Sequence, residues 1–187
     1  MGTARAFFQR GLVARAYRLA LRSPDAQSQR LTFPLPQPEV LEEARRAGVD
    51  PLLTAALIRQ ESAFDPLARS RADARGLMQV LPSVGAGLAP AAGITEWDPA
   101  LLYQTEINVH FGVAHLAQTL ERFRLLPVAL AVYNAGERPT RRWLALPGVD
   151  GDPEVFIERI QYVETRDYAR RVLRNLAVYR AFYPLLP

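Results

Sequence analysis

Asp50-Pro51-Leu52-Leu53-Thr54-Ala55-Ala56-Leu57-Ile58-Arg59-Gln60-Glu61-Ser62 is the stretch on which the fold turns. Asp50 is a good N-cap. Pro51 suits the first helical position, where its missing N–H would have no partner anyway. The pattern predicts a helix from Pro51 to about Ser62. Leu53, Leu57 and Glu61 are spaced by four, so they share a face, and the two leucines make that face apolar. Glu61 therefore stands where a third leucine would be expected. Periodicity leaves two readings open. A carboxyl taken out of water resists ionisation, its pKa rises, and it can serve as a general acid near neutral pH. A helix end that emerges into solvent would instead leave Glu61 hydrated and idle.

Working outward, Glu39 to Ala47 reads as a helix closed by Gly48. Upstream, Phe8, Leu12, Ala16 and Leu19 recur at helical spacing with arginines between them. Residues 4–21 are expected to form one amphipathic helix, ended by Ser23-Pro24-Asp25. Pro34, Pro36 and Pro38 make Phe33–Pro38 an extended linker, because proline fixes φ and lacks a donor. The chain is thus divided into an N-terminal helical arm and linker, 1–32, and a main domain, 33–187. Downstream, a loop rich in Arg, Asp and Ser runs to Gly76, and Pro82 opens a short helix. Further helices are expected at Tyr103–Arg124, Pro127–Val132, Glu137–Leu146, 153–159 and about 165–182. No alternating run reads as a strand. The fold class is mostly α.

Composition removes several chemistries. The chain has no Cys, which excludes disulfides and thiolate catalysis. All 23 basic residues are Arg, so no lysine Schiff base, lysine general base or P-loop lysine exists. His110 and His115 lie five apart on one expected helix, without the His-Glu-x-x-His arrangement. They argue against a metal site and against a Ser-His-Asp triad. No Gly-rich cradle follows a strand, so no nucleotide cofactor is indicated. No metal and no cofactor are expected. The net charge of +4 favours polyanions in general. The arginines are spread over both ends rather than along one stripe, and no recognised motif supports nucleic acid as a partner. No apolar run approaches the ~20 residues of a membrane span. Arg5, Arg10, Arg15, Arg18 and Arg22 interrupt the N-terminal stretch too often for a signal-peptide core.

Three more segments carry functional groups. Gly76-Leu77-Met78-Gln79 joins a glycine that permits close backbone approach or positive φ to a side-chain amide whose donor and acceptor suit an amide or hydroxyl ligand. Alone it reads as a loop glycine before core Leu77 and Met78. Ala131-Val132-Tyr133-Asn134-Ala135-Gly136 puts a phenol on a buried helix that Gly136 ends. Alone it is a core tyrosine and a capping asparagine. Tyr162-Val163-Glu164-Thr165-Arg166-Asp167-Tyr168 gathers carboxylates and tyrosines, as a solvated helix start also would.

In this order, and with Ala56-Leu57-Ile58-Arg59-Gln60 before Glu61-Ser62, the four motifs resemble the catalytic domain of the soluble lytic transglycosylases, which is similar to goose-type lysozyme. The resemblance runs from about residue 33 to the end. The N-terminal helix and Leu31–Pro36 look like the tail of the helical superhelix in large members. The resemblance implies a lysozyme-like helical domain with a substrate cleft. It implies cleavage of the β-1,4 bond between N-acetylmuramic acid and N-acetylglucosamine, giving 1,6-anhydromuramyl products without water. Glu61 would be the single acid and base. Ser62, Ser70, Gln79, Leu81, Tyr133, Asn134 and Glu164 would bind substrate or line the cleft, with Tyr133 hydrogen-bonding or positioning the Glu61 carboxyl. Tyr168 is a further candidate. The implied partners are peptidoglycan glycan strands, with peripheral envelope association, and the implied place is the periplasm or cell envelope. A lysozyme-like muramidase and a non-catalytic peptidoglycan-binding domain are the alternatives. Arg138, Arg141 and Arg142 either hold substrate carboxylates or form a solvated face. Two departures from the family pattern stand out. Leu81 replaces a frequent Met, and Asp73-Ala74 replaces a frequent Gly-Ala, although Asp tolerates left-handed backbone well.

Overall fold

The computed structural model describes residues 2–22, 30–149 and 151–184. The expected helix end at Ser23-Pro24-Asp25 lies outside the described residues. The arm is two helices, α1 (Gly2–Gln9) and α2 (Val13–Ala20), not one. The physical reason is Gly11, which adopts φ +73°. The Leu12 and Gly11 N–H groups then reach back to the Phe7 and Phe8 carbonyls, at 2.9 and 3.0 Å. This is the closing pattern of a left-handed glycine stop, and it ends α1 although the apolar spacing continues past it.

The main domain follows the expected order. Helix α3 spans Pro38–Arg46 and α4 spans Pro51–Ser62. The Asp50 carboxylate accepts from the Leu52 N–H at 2.8 Å, which makes it the α4 N-cap. After the loop come α5 (Pro82–Leu88), a 3-10 turn at Pro99–Tyr103, and the long α6 (Thr105–Phe123). The chain ends with α7 (Leu126–Ala135), α8 (Glu137–Leu144), α9 (Pro153–Arg159) and α10 (Val163–Phe182). Among the described residues the only β pairing is two isolated bridges, Arg75 with Arg69 and with Val80.

Helix α4 is the axis of the domain. Every residue from Pro51 to Ile58 is buried, so it is apolar on all sides rather than along one stripe. It packs against α3 and α10, while α7 packs between α6 and α10. Leu57, Ile58, Met78, Leu116, Leu130 and Trp143 meet in this core. Each such side chain contributes about 1.5–3 kcal/mol by leaving water.

Contacts cross the expected division at residues 32 and 33. Tyr17 of α2 meets Phe64 edge-on, with centroids 6.1 Å apart. The Arg59 guanidinium of α4 lies over Phe33 at 4.0 Å and over Tyr17 at 5.3 Å. Its Nε donates to the Thr32 carbonyl at 2.7 Å, and its Nη1 donates to Asn175 Oδ1 of α10 at 2.9 Å. Arm, linker, α4 and α10 are therefore tied at one point, two residues before Glu61.

Candidate active site

Glu61 occupies the last turn of α4. The chain then reverses through two successive left-handed residues, Ala63 at φ +50° and Phe64 at φ +65°. Such backbone costs free energy at non-glycine positions and persists only where packing enforces it. Burial of Phe64 beneath Tyr17 supplies that packing. The reversal ends the helix directly after the carboxyl, at the lip of the domain rather than within its core.

The carboxyl itself is partly exposed yet surrounded by protein. Burial raises its pKa from the ordinary 4.5 to about 7. One hydrogen bond works in the opposite direction. The Tyr168 hydroxyl of α10 donates to Glu61 Oε1 at 2.6 Å, which favours the carboxylate. Burial, and after it the Glu61 charge, push the Tyr168 phenol well above its ordinary range, so it remains a donor. Near neutral pH Glu61 can thus exist in both protonation states, as an acid that later becomes a base must.

Tyr133 was expected to hydrogen-bond or position this carboxyl. Its hydroxyl instead donates to the Met78 carbonyl at 2.8 Å, and the bond to Glu61 comes from Tyr168. Tyr133 is still electrically coupled to the site. Burial raises its pKa first, and the Glu61 charge raises it further. The reason for the exchange is geometric: Tyr168 sits on α10, the helix packed along α4, whereas Tyr133 faces the loop that follows Gly76.

That loop holds Gln79 in left-handed backbone at φ +49°. Its side-chain Nε2 donates to the carbonyls of Gly76 at 2.9 Å and Ala68 at 3.1 Å. Both amide hydrogens are spent on the loop, so Oε1 is the group left to accept from a ligand. Gly76 has φ +75°, and a Cβ there would lie 2.3 Å from Asn108 Nδ2 and 2.4 Å from the Leu102 carbonyl oxygen. Asp73 does adopt left-handed backbone, at φ +64°, and its carboxylate binds Arg69 and Arg75.

The remaining expected residues are placed as follows. The Ser62 hydroxyl donates back to the Ile58 carbonyl at 3.2 Å. The Ser70 hydroxyl accepts from the Ala74 N–H at 3.0 Å and so closes its own loop. Asn134 Oδ1 accepts from the Thr165 hydroxyl at 2.7 Å, joining the end of α7 to the start of α10. Glu164 is exposed on the first turn of α10, four residues before Tyr168. Leu81, 40% exposed, lines a groove of about 350 Å³ with Val84, His115, Tyr133, Asn134 and Glu137. The His115 ring lies 5.2 Å from that of Tyr133, and burial lowers its pKa, which favours neutral imidazole. A larger cavity of about 500 Å³ between α3 and α6 contains none of these residues. Arg141 pairs with Glu137 at 2.6 Å and lies over Phe123, which commits its charge within the chain. Arg138 and Arg142 are exposed. Among the described residues no three His, Asp or Glu side chains gather as metal ligands.

Two contributors to this arrangement carry no motif signal, Asn108 and His115, and Thr165 lies in a quoted motif without having been given a role. A signal for the first was available. Asn108, Gly112 and Leu116 are spaced by four on α6, so the asparagine interrupts a buried face.

A helical, lysozyme-like domain with one glutamate at the end of its central helix is the class that this fold and site define. The chain belongs to the Transglycosylase SLT domain family, whose model matches residues 39–155. Over 129 residues it is 35% identical to the soluble lytic murein transglycosylase of Salmonella typhimurium, covering 68% of this chain and 20% of that protein. Its fold is similar to that of lytic transglycosylase Slt from Pseudomonas aeruginosa, solved as an inactive Glu-to-Gln mutant. That match has TM-score 0.82 and 29% identity, over 98% of this chain and 30% of that one. A 70-kDa soluble lytic transglycosylase solved with bulgecin A matches with TM-score 0.83 and 26% identity, over 98% of this chain and 31% of that one. The chain therefore spans less than a third of the length of these relatives.

Proposed function

We propose that this chain is the catalytic unit of a peptidoglycan lytic transglycosylase, with Glu61 as its one acid and base. The observation that carries the reading is a carboxyl raised to about 7 by burial, with a tyrosine donor and no carboxylate among the influences on it. Glycosidases that use two carboxylates need the second within about 5–9.5 Å. The aspartates nearest in sequence are occupied elsewhere: Asp65 pairs with Arg18 at 3.6 Å, and Asp73 with Arg69 and Arg75.

In this reading the protonated Glu61 gives its proton to the glycosidic oxygen between N-acetylmuramic acid and N-acetylglucosamine. The carboxylate so formed, steadied by the Tyr168 hydroxyl, takes the proton of the muramyl C6 hydroxyl. That oxygen closes on C1, and the C1–O bond to the leaving sugar is broken. The product is a 1,6-anhydro sugar, no water is consumed, and Glu61 ends protonated as it began. Gln79 accepts from a sugar N–H or O–H through Oε1. Leu81 and Tyr133 form the groove wall, and Asn134 holds α7 to α10. Ser62 and Ser70 serve by shaping the backbone, and Glu164 stands at the rim. The substrate places the activity in the periplasm or cell envelope. No helix among the described residues is long and apolar enough to cross a membrane.

The deciding experiment is mass spectrometry of sacculi digested with this chain. Anhydromuropeptides, one water lighter than reducing-end products, are expected. Reducing-end products would make the enzyme a muramidase, and binding without release would make it a wall-binding domain.

A pH experiment tests the role given to Tyr168. The acid form of Glu61 is required, so kcat/KM falls as pH rises through about 7. The Tyr168 hydroxyl favours the carboxylate and so holds that pKa down. Tyr168→Phe therefore moves the alkaline limb upward, by about one pH unit for a hydrogen bond to a charged group. A limb that stays in place, or moves down, rejects the assignment.

A further inference from the structure

Asn108 is a buried amide, 1% exposed, with its polar atoms directed at the loop that carries Gln79. Its Nδ2 donates to the Arg75 carbonyl at 2.7 Å and to the Leu102 carbonyl at 2.8 Å. Its Oδ1 accepts the Met78 N–H at 2.8 Å. The Met78 carbonyl is taken by the Tyr133 hydroxyl at 2.8 Å. The backbone immediately before Gln79 is therefore gripped from α6 on one side and from α7 on the other. Gly76 has no room for a Cβ because the Asn108 amide lies against it, and a Cβ at Gly112, one turn further along α6, would lie 2.6 Å from Met78 Cβ. Gln79, next in the chain, has the left-handed backbone that an L-residue adopts at a cost.

We propose that Asn108 is a positioning residue that holds the Gly76–Gln79 loop in the shape that presents Gln79 Oε1 to the sugar. The inference rests on the sugar-binding role proposed above for Gln79. Asn108 supplies both hydrogen-bond senses at once: two donors for carbonyls that point into the core, and one acceptor for an N–H. Aspartate has the same shape but cannot do this. Ionised, it offers no donor; protonated, it offers one. At least one of the two amide donations is then lost: either the Leu102 carbonyl loses the donor given above, or the Arg75 carbonyl keeps only the Val80 N–H, at 3.0 Å, and the loop relaxes away from its left-handed turn.

The test compares Asn108→Asp, Asn108→Ser, Gln79→Ala and the double variant Asn108→Asp/Gln79→Ala, using soluble glycan strands as substrate. Activities are measured well below the lowest melting temperature of the set, with circular dichroism to establish folding. Asn108→Asp is expected to lose about ten- to a hundredfold in kcat/KM, the range for a misplaced binding group. Most of that loss falls on KM, and the alkaline pH limb stays where Glu61 sets it. Asn108→Ser, which keeps one hydroxyl and leaves room for a bridging water, falls between. In the double variant the Asn108 change adds no further loss, because the side chain it positions is gone. Should Asn108→Asp fail to fold, the Asn108→Ser and Gln79→Ala cycle carries the same comparison. Losses that multiply in the double variant, or an Asn108→Asp enzyme with unchanged KM beside an impaired Gln79→Ala, overturn the inference alone. A Gln79→Ala enzyme with unchanged KM overturns the role of Gln79 and the inference with it.

Discussion

Glu61→Gln is expected to abolish cleavage of sacculi and, in the same protein, to raise stability above pH 7. Gln has the shape of Glu but no proton to give to a glycosidic oxygen and no charge with which to collect one. Removal of a group that performs both transfers costs about a thousandfold or more in kcat. The stability effect follows from linkage. The folded carboxyl has a pKa of about 7 against 4.5 for the ordinary group. Between those values the folded state holds a proton that the unfolded state has released, so stability falls as pH rises through this window. Well above pH 7 the native protein carries the whole penalty, about 3 kcal/mol for a shift from 4.5 to about 7, reduced where solvent reaches the carboxyl. Gln carries none. Thermal unfolding of the two proteins at pH 5 and pH 8 checks this: the variant gains chiefly at the higher pH. A variant that is less stable at pH 8, or that still releases anhydromuropeptides, would contradict the site.

Gly76→Ala is expected to be the most damaging single substitution outside the acid itself. The added methyl would sit 2.3 Å from Asn108 Nδ2 and 2.4 Å from the backbone oxygen of Leu102, at a residue with φ +75°. Neither neighbour can yield cheaply, because the amide is hydrogen-bonded on three sides and the oxygen belongs to the backbone. Overpacking together with left-handed strain costs about 3 kcal/mol or more, and the loop carrying Gln79 moves with it. Gly87→Ala is the control. It lies within α5, where a Cβ meets nothing within 4 Å. There the methyl should leave activity unchanged and raise stability by about 0.5–1 kcal/mol through helix propensity. Equal melting temperatures for Gly76→Ala and the native protein would mean that this loop is looser than the structure describes.

Helices were the most legible part of the sequence. Asp50-Pro51 sets the start of α4 correctly because capping and proline placement are local effects, decided within one turn. Gly11 is a local signal too, but the apolar spacing of Phe8, Leu12, Ala16 and Leu19 runs straight across it and predicts one helix where there are two. The state of Glu61 was undecidable from periodicity, since a carboxyl on an apolar face can be buried or emergent. Its enclosure depends on the reversal at Ala63 and Phe64 and on the approach of α10, which are tertiary facts. The same limit explains why Tyr133 rather than Tyr168 was expected to bond to the carboxyl. Tyr168 lies on α10, which packs along α4, and Tyr133 lies on α7, which packs against α10 and α6, and only that packing decides which oxygen arrives. Ser62 and Ser70 illustrate a different limit: a hydroxyl beside a functional motif can satisfy a nearby backbone group instead of facing a ligand.

The aromatic sandwich around Arg59 bears on where this chain can be cut. A version beginning at Phe33 would lack Thr32 and Tyr17. The guanidinium would lose one ring and one carbonyl, and Phe64, beneath the reversal after Glu61, would lose its aromatic neighbour. The smallest fragment that keeps these contacts starts upstream of Tyr17, so the arm is part of the foundation on which Glu61 stands.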